Sequence, residues 1–263
     1  MLCAVLLCSC SSPASASVSS SGSMGEVLPF IVETPEPKQK EEKKAEYILD
    51  EKTLNSLHEE FLADKAINED TCAILHFNNG LLHQPVMAAE DLSYYLYIDW
   101  QTGEYSQVGS AFMDYINDLN EDEQNTILYG HFVYEVLDPE RNLVFTPLSQ
   151  LREESAYEEN KYLVLVTEKD VRYYQVAIVF DAPITYASDG QGYTDYDTQF
   201  NLDEYDEEYF EIYMEAIRKI QLYNTRVPIA YTDKMLTLQT CVEGDHAHRQ
   251  ITVCKELERT EWE

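Results

Sequence analysis

Between residues 72 and 257 the chain is mainly a succession of short apolar runs cut by turn residues, and this rhythm constrains the fold more than any other feature. Cys72-Ala-Ile-Leu-His-Phe77, an Asn78-Asn-Gly80 turn and a run to Val86 read as strand, turn, strand. Residues 103–114 read as a turn and then a strand. A polar loop over 120–124 precedes the strand-like Asn125-Thr-Ile-Leu-Tyr-Gly-His131, and Tyr162-Leu-Val-Leu-Val-Thr167 is a further strand. Within 171–180, Tyr174, Val176, Ile178 and Phe180 alternate, which predicts that they share one face. Strands over 234–241 and 249–257 close the chain. Residues 93–97 fit a short helix or a strand equally, and 188–198 read as loop.

Helices are fewer. Leu54, Leu57, Phe61 and Leu62 recur at helical spacing, giving a helix that ends near residue 66. Phe145-Thr-Pro-Leu148 starts a short one. The strongest helical pattern lies at about 203–222, where Tyr205, Tyr209, Ile212, Tyr213, Ala216, Ile217 and Ile220 form a stripe read as core packing. Asn201 with Glu204 suits a capping box, and Arg218 and Lys219 fall where the helix dipole favours cations. Many short strands, few helices and no βαβ alternation predict a β-barrel with helical decoration.

The N-terminal part follows different rules. Residues 1–23 carry a short apolar stretch and then a serine-rich one, and Leu7-Cys-Ser-Cys10 is similar to a lipobox in which Cys10 would be lipidated. The stretch lacks the cationic start of a signal peptide, and a clipped membrane anchor is the alternative; eight apolar residues do not span a bilayer. Residues 24–46, with Thr34-Pro-Glu-Pro37 and the charge run at 38–44, read as a tether that cannot bury enough apolar surface to fold. The expected folded domain is 47–263. Asp and Glu number 49 against 18 Lys and Arg, a formal net charge of −31, which argues against a nucleic-acid partner.

With Cys3, Cys8 and Cys10 in the leading stretch, the body keeps Cys72, Cys241 and Cys254, an odd number with no CxxC spacing. That disfavours both a disulfide framework and a zinc site, although His246 and His248 lie between the last two cysteines. No cofactor or metal is expected. Cys72 and Cys254 read as packing thiols. Cys241 ends the strand-like Leu236-Thr-Leu-Gln-Thr-Cys241, Arg249 follows eight residues later, and His131 ends another strand. Together they form a set suited to covalent acyl transfer. Cys241 shares parity with Thr237 and Gln239, opposite Leu236 and Leu238, so it should point away from the barrel core. Arg249 shares parity with the core-like Ile251 and Val253, so either it precedes the regular strand or a bulge re-aims it. Glu243 and Asp245 read as solvated loop charges, with orientation of His131 as the sharper alternative.

These segments resemble the sortases, and class B sortases in particular. Tyr94-Tyr-Leu96 before Asp99 and Gly103, then Gly109-Ser-Ala-Phe-Met-Asp114, resembles the family's early barrel region. The segments ending in His131 and in Cys241, with Arg249 after it, are similar to its histidine, cysteine and arginine strands, and the two longer helices favour class B. The resemblance covers about residues 47–257. It departs at Phe132, where the family commonly has Asn, and at Gln239, where Ser is usual, and both departures are expected to alter substrate fit more than chemistry.

The resemblance implies a closed barrel of about eight strands, with a helix before it and a long helix ahead of the cysteine strand. It implies a cell-surface cysteine transpeptidase that cuts a C-terminal sorting motif of secreted proteins. The Thr carbonyl would pass through a Cys241 thioacyl intermediate to an amine of a cell-wall precursor or a pilin. His131 would move protons, Arg249 would stabilise the oxyanion, and the N-terminus would hold the domain at the membrane's outer face.

Overall fold

The structure, a computed structural model, describes residues 45–88, 91, 93–186, 192–194 and 207–262. Cys10 and its lipobox-like surroundings, nearly all of the tether, Tyr205 and the Asn201–Glu204 capping pair lie outside the described residues.

In chain order the elements are α1 (Glu51–Ile67), β1 (Thr71–Phe77), β2 (His83–Met87), β3 (Ala111–Met113), β4 (Asn125–Tyr129), α2 (Tyr157–Asn160), β5 (Tyr162–Val166), β6 (Asp170–Tyr186), β7 (Gly192–Thr194), α3 (Glu207–Ile220), β8 (Met235–Val242) and β9 (Asp245–Glu261). A 3₁₀ segment, Thr146–Arg152, follows Phe145 with a proline in its first turn, where the missing N–H costs nothing. The strands run β5-β1-β2-β3-β4-β8-β9-β6, and β5 pairs with β6, so eight strands close on themselves; β7 adds to the end of β6. Pairing is antiparallel except for β2–β3 and β4–β8, which are parallel. The expected barrel is present. Residues 93–97 settle into turns, and 192–194, expected as loop, form β7.

Both faces of the sheet are buried over part of the barrel. Leu75, Leu128, Leu165, Tyr174, Val176, Leu236, Leu238 and Cys254 fill one cluster, the interior. A second cluster joins α3 to the outer face of β6, β8 and β9 through Phe210, Tyr213, Met214, Ile217, Ile178, Phe180, Ile251 and Val253. α1 covers a third region with Leu57 and Phe61 against Ile74, Val164 and Tyr173. Its first turn is capped by Asp50, whose carboxylate accepts the Thr53 N–H at 3.0 Å.

Two expectations change here. Tyr209 and Ile212 are exposed, and the buried stripe of α3 is Phe210, Tyr213, Met214 and Ile217, a clean i, i+3, i+4, i+7 set. Each such side chain contributes roughly 1.5–3 kcal/mol on burial. In β6 the register against β9 slips between Val176 and Ile178. That bulge reverses the alternation, so Tyr174 and Val176 face the interior while Ile178 and Phe180 face α3.

Candidate active site

Strands β4, β8 and β9 are neighbours in that order, and the cysteine lies on the middle one. In the parallel β4–β8 ladder Tyr129 is the partner of Gln239, and the Gly130 N–H extends the ladder by donating to the Gln239 carbonyl at 3.2 Å. Two residues beyond each partner come His131 and Cys241. Period-two alternation sends both toward the face that carries Tyr129 and Gln239. On the other side Cys241 is the direct partner of Arg249. Directly opposed residues share a face with Cβ atoms about 4.5–5.5 Å apart. The register therefore places His131, just past β4, Cys241 on β8 and Arg249 on β9 at one end of the barrel, with Cys241 on the middle strand.

The same pairing resolves the parity of Arg249. Ile251 and Val253 pair with Gln239 and Thr237 and pack against α3, on the outer face. They are core, but not barrel interior, so Arg249 shares their parity and still flanks Cys241. An irregularity does exist, one step further on. Val242 pairs with Asp245 across a Glu243-Gly244 turn, Gly244 adopts a φ of 71°, and residues 246–248 bulge out before Arg249.

His131 is anchored by a backbone group. Its Nε2 lies 2.9 Å from the carbonyl oxygen of Leu96, so Nε2–H is the donor and Nδ1 is the nitrogen left for proton exchange. The ring sits 5.9 Å from that of Tyr97. Burial of the imidazole pushes its pKa below the usual value; the bond to Leu96 opposes the shift, and the Arg249 charge adds to it. Burial thus biases His131 toward its neutral form. Arg249 supplies the permanent positive charge. One of its N–H groups donates to the His248 carbonyl at 3.2 Å, and among the described residues no carboxylate forms an ion pair with it.

The Leu96 carbonyl is itself held in place. The Ser110 N–H donates to Tyr95 and its hydroxyl to Ile98, both at 2.9 Å, and the Ser106 N–H donates to Tyr97 at 2.8 Å. Gly109 has a φ of 63°, and a Cβ there would meet the Leu96 oxygen at 2.3 Å. Gly109→Ala is therefore expected to lower unfolding free energy by about 1–3 kcal/mol, measured by denaturant titration, and to reduce turnover in the fraction that stays folded. Nothing in the sequence around Gly109 and Ser110 connects them to His131. A glycine–serine pair just before a strand was the available signal.

The remaining candidates separate cleanly. Cys254 is buried in the interior and its thiol is pushed well up by burial. Cys72 is half-buried, but its thiol donates to the Val86 carbonyl at 3.3 Å and burial pushes it up to about 12. All three body cysteines are free. Glu243 is held by Arg141, and Asp245 accepts from His248 Nδ1 at 2.8 Å.

No family model matches the chain. Sortase B of Staphylococcus aureus (strain NCTC 8325 / PS 47) is 31% identical over 198 residues, covering 73% of each protein. Sortase B of Listeria monocytogenes serovar 1/2a is 24% identical over 223 residues, 80% of each. The structure of Clostridium perfringens sortase B superimposes with a TM-score of 0.61 at 26% identity, over 75% of this chain and 99% of that one. Identity at this level over most of both sequences, on a barrel of the same form, makes the chain a member of the sortase B family of cysteine transpeptidases.

Proposed function

We propose that the chain cleaves a C-terminal sorting motif of secreted proteins and links the Thr carbonyl to a cell-wall or pilin amine through a thioacyl intermediate on Cys241. The observation that carries this is the placement of Cys241 on a strand between those of His131 and Arg249. In this mechanism the Cys241 sulfur attacks the Thr carbonyl carbon, and its proton passes to Nδ1 of neutral His131. Arg249 donates to the oxyanion that forms, a contact worth roughly 3–4 kcal/mol where such donors have been removed elsewhere. The C–N bond then breaks, and His131 returns the proton to the leaving amine. An incoming amine attacks the thioester carbon and gives a proton to His131, and Cys241 leaves with a proton regained.

Leu96 acts here through its backbone. By accepting from Nε2 it fixes the tautomer and directs Nδ1 to the exchange. The folded domain, 47–263, would stand off the outer membrane face on the 24–46 tether, held by residues 1–23. Among the described residues no helix is long and apolar enough to cross a membrane.

The test is product analysis. The full chain is incubated with a panel of Thr-containing sorting-motif peptides, with and without triglycine, and products are read by mass spectrometry. The expected result is a ligated peptide that replaces the hydrolysed one when the amine is present. Hydrolysis alone at saturating amine would reduce the activity to that of a peptidase.

A further inference from the structure

The loop that follows His131 is tied to the turn that follows Cys241. Residues 132–145 leave and return at nearly one point: the Phe145 N–H donates to the His131 carbonyl at 3.1 Å and the Val133 N–H to Thr146 Oγ1 at 2.8 Å. Inside the loop, the buried Asp138 carboxylate accepts the N–H groups of Asn142 and Leu143 at 3.1 and 2.9 Å. Such closure makes a compact, preformed loop.

Arg141 carries the loop's contact with the Glu243-Gly244 turn. Its two Nη atoms donate to the two carboxylate oxygens of Glu243 at 2.9 and 2.8 Å, although 102 residues separate them in sequence. Its guanidinium lies over the ring of Phe132, 5.2 Å from the centroid. Phe132 is itself buried, immediately after His131, and Glu243 is two residues past Cys241. Beside this pair, the Tyr134 ring lies 6.4 Å from that of His246 in the β9 bulge. Arg141 holds a φ of 55°, unfavourable for a residue with a side chain, with its N–H donated to the Asp138 carbonyl at 3.1 Å. An exposed ion pair alone is worth little. A planar fork on both carboxylate oxygens, resting on an aromatic face and joining two preformed segments, is a more specific device.

We propose that Arg141 and Glu243 are positioning residues that latch the 132–145 loop to the turn after Cys241 and so fix one wall of the substrate cleft, with Phe132 as the plate beneath the guanidinium. The proposal rests on the transpeptidase reading for its cleft, but not for the latch itself. It also gives a structural role to Phe132, one of the two positions where the chain departs from the family's usual residue.

Two measurements on wild type, Arg141→Ala, Glu243→Ala and the double variant test it. Hydrogen exchange of the amides in 132–145 is expected to speed up about tenfold in either single variant and no further in the double. KM for the peptide is expected to rise about threefold to tenfold in each single variant, with kcat within about twofold of wild type and the double no worse than either single. Unchanged exchange in either single variant, or additive effects in the double, would overturn the latch. Faster exchange with an unchanged KM would overturn its role as a cleft wall. Because exchange needs no turnover, coupled exchange in a chain that cleaves no peptide would retain the latch and count against the transpeptidase reading instead.

Discussion

Cys241→Ala should abolish peptide cleavage, with a loss of roughly 10³-fold or more, because among the described residues the other two thiols, Cys72 and Cys254, lie on β1 and in the barrel interior and cannot form the thioester in its place. Cys254→Ala is the informative contrast. Its thiol lies in the barrel interior among Leu236, Leu238 and Val176, so truncation should cost about 1 kcal/mol of stability and leave turnover within about twofold. Steady-state cleavage assays and denaturant unfolding on the same preparations separate the two effects. Comparable loss of activity in both variants, with both folded, would mean that the roles assigned to the two thiols are wrong.

Arg249 carries the second large effect. Arg249→Lys keeps the charge but replaces a planar fork with a point donor, and kcat should fall about 10²-fold with little change in fold. Arg249→Ala adds a spectroscopic consequence. The Arg249 charge lowers the His131 pKa, so its removal should move the imidazole titration upward, toward the ordinary value of about 6.5. Burial, the larger cause, remains in the variant, so the midpoint should still fall below that value. An NMR titration of His131 checks the direction. A downward shift would mean that the guanidinium does not act on the ring.

Much of the barrel could be read from alternation and turn residues alone, and the strand contexts of His131, Cys241 and Arg249 pointed to segments that the structure sets side by side. The misreadings have specific causes. A bulge in β6 moves one residue out of the ladder, and nothing in Tyr174, Val176, Ile178 and Phe180 marks where the parity reverses. In α3, tyrosine and isoleucine suggested one stripe, but the face buried against β6 and β9 is centred on Phe210 and Met214. A two-faced sheet also blurred Arg249, because Ile251 and Val253 are buried without pointing into the barrel.

The features absent from the sequence reading are those without a side-chain signature or with long separations. His131 is oriented by a backbone carbonyl 35 residues earlier, and any residue type at position 96 could offer one. Only the glycine that lets the chain pass close to it, Gly109, leaves a trace in composition. Arg141 and Glu243 meet across 102 residues, and each alone reads as one more surface charge in a chain that has many.

The central claim is that Cys241 forms a thioacyl bond to substrate and surrenders the acyl group to an amine. Intact-protein mass spectrometry during turnover, followed by peptide mapping, tests it directly. The account predicts an adduct of the acyl fragment's mass on the peptide that contains Cys241, discharged by added triglycine and absent from Cys241→Ala. Cleavage that proceeds with no adduct at Cys241 under conditions that slow deacylation, or an adduct mapped to Cys72 or Cys254, would contradict it.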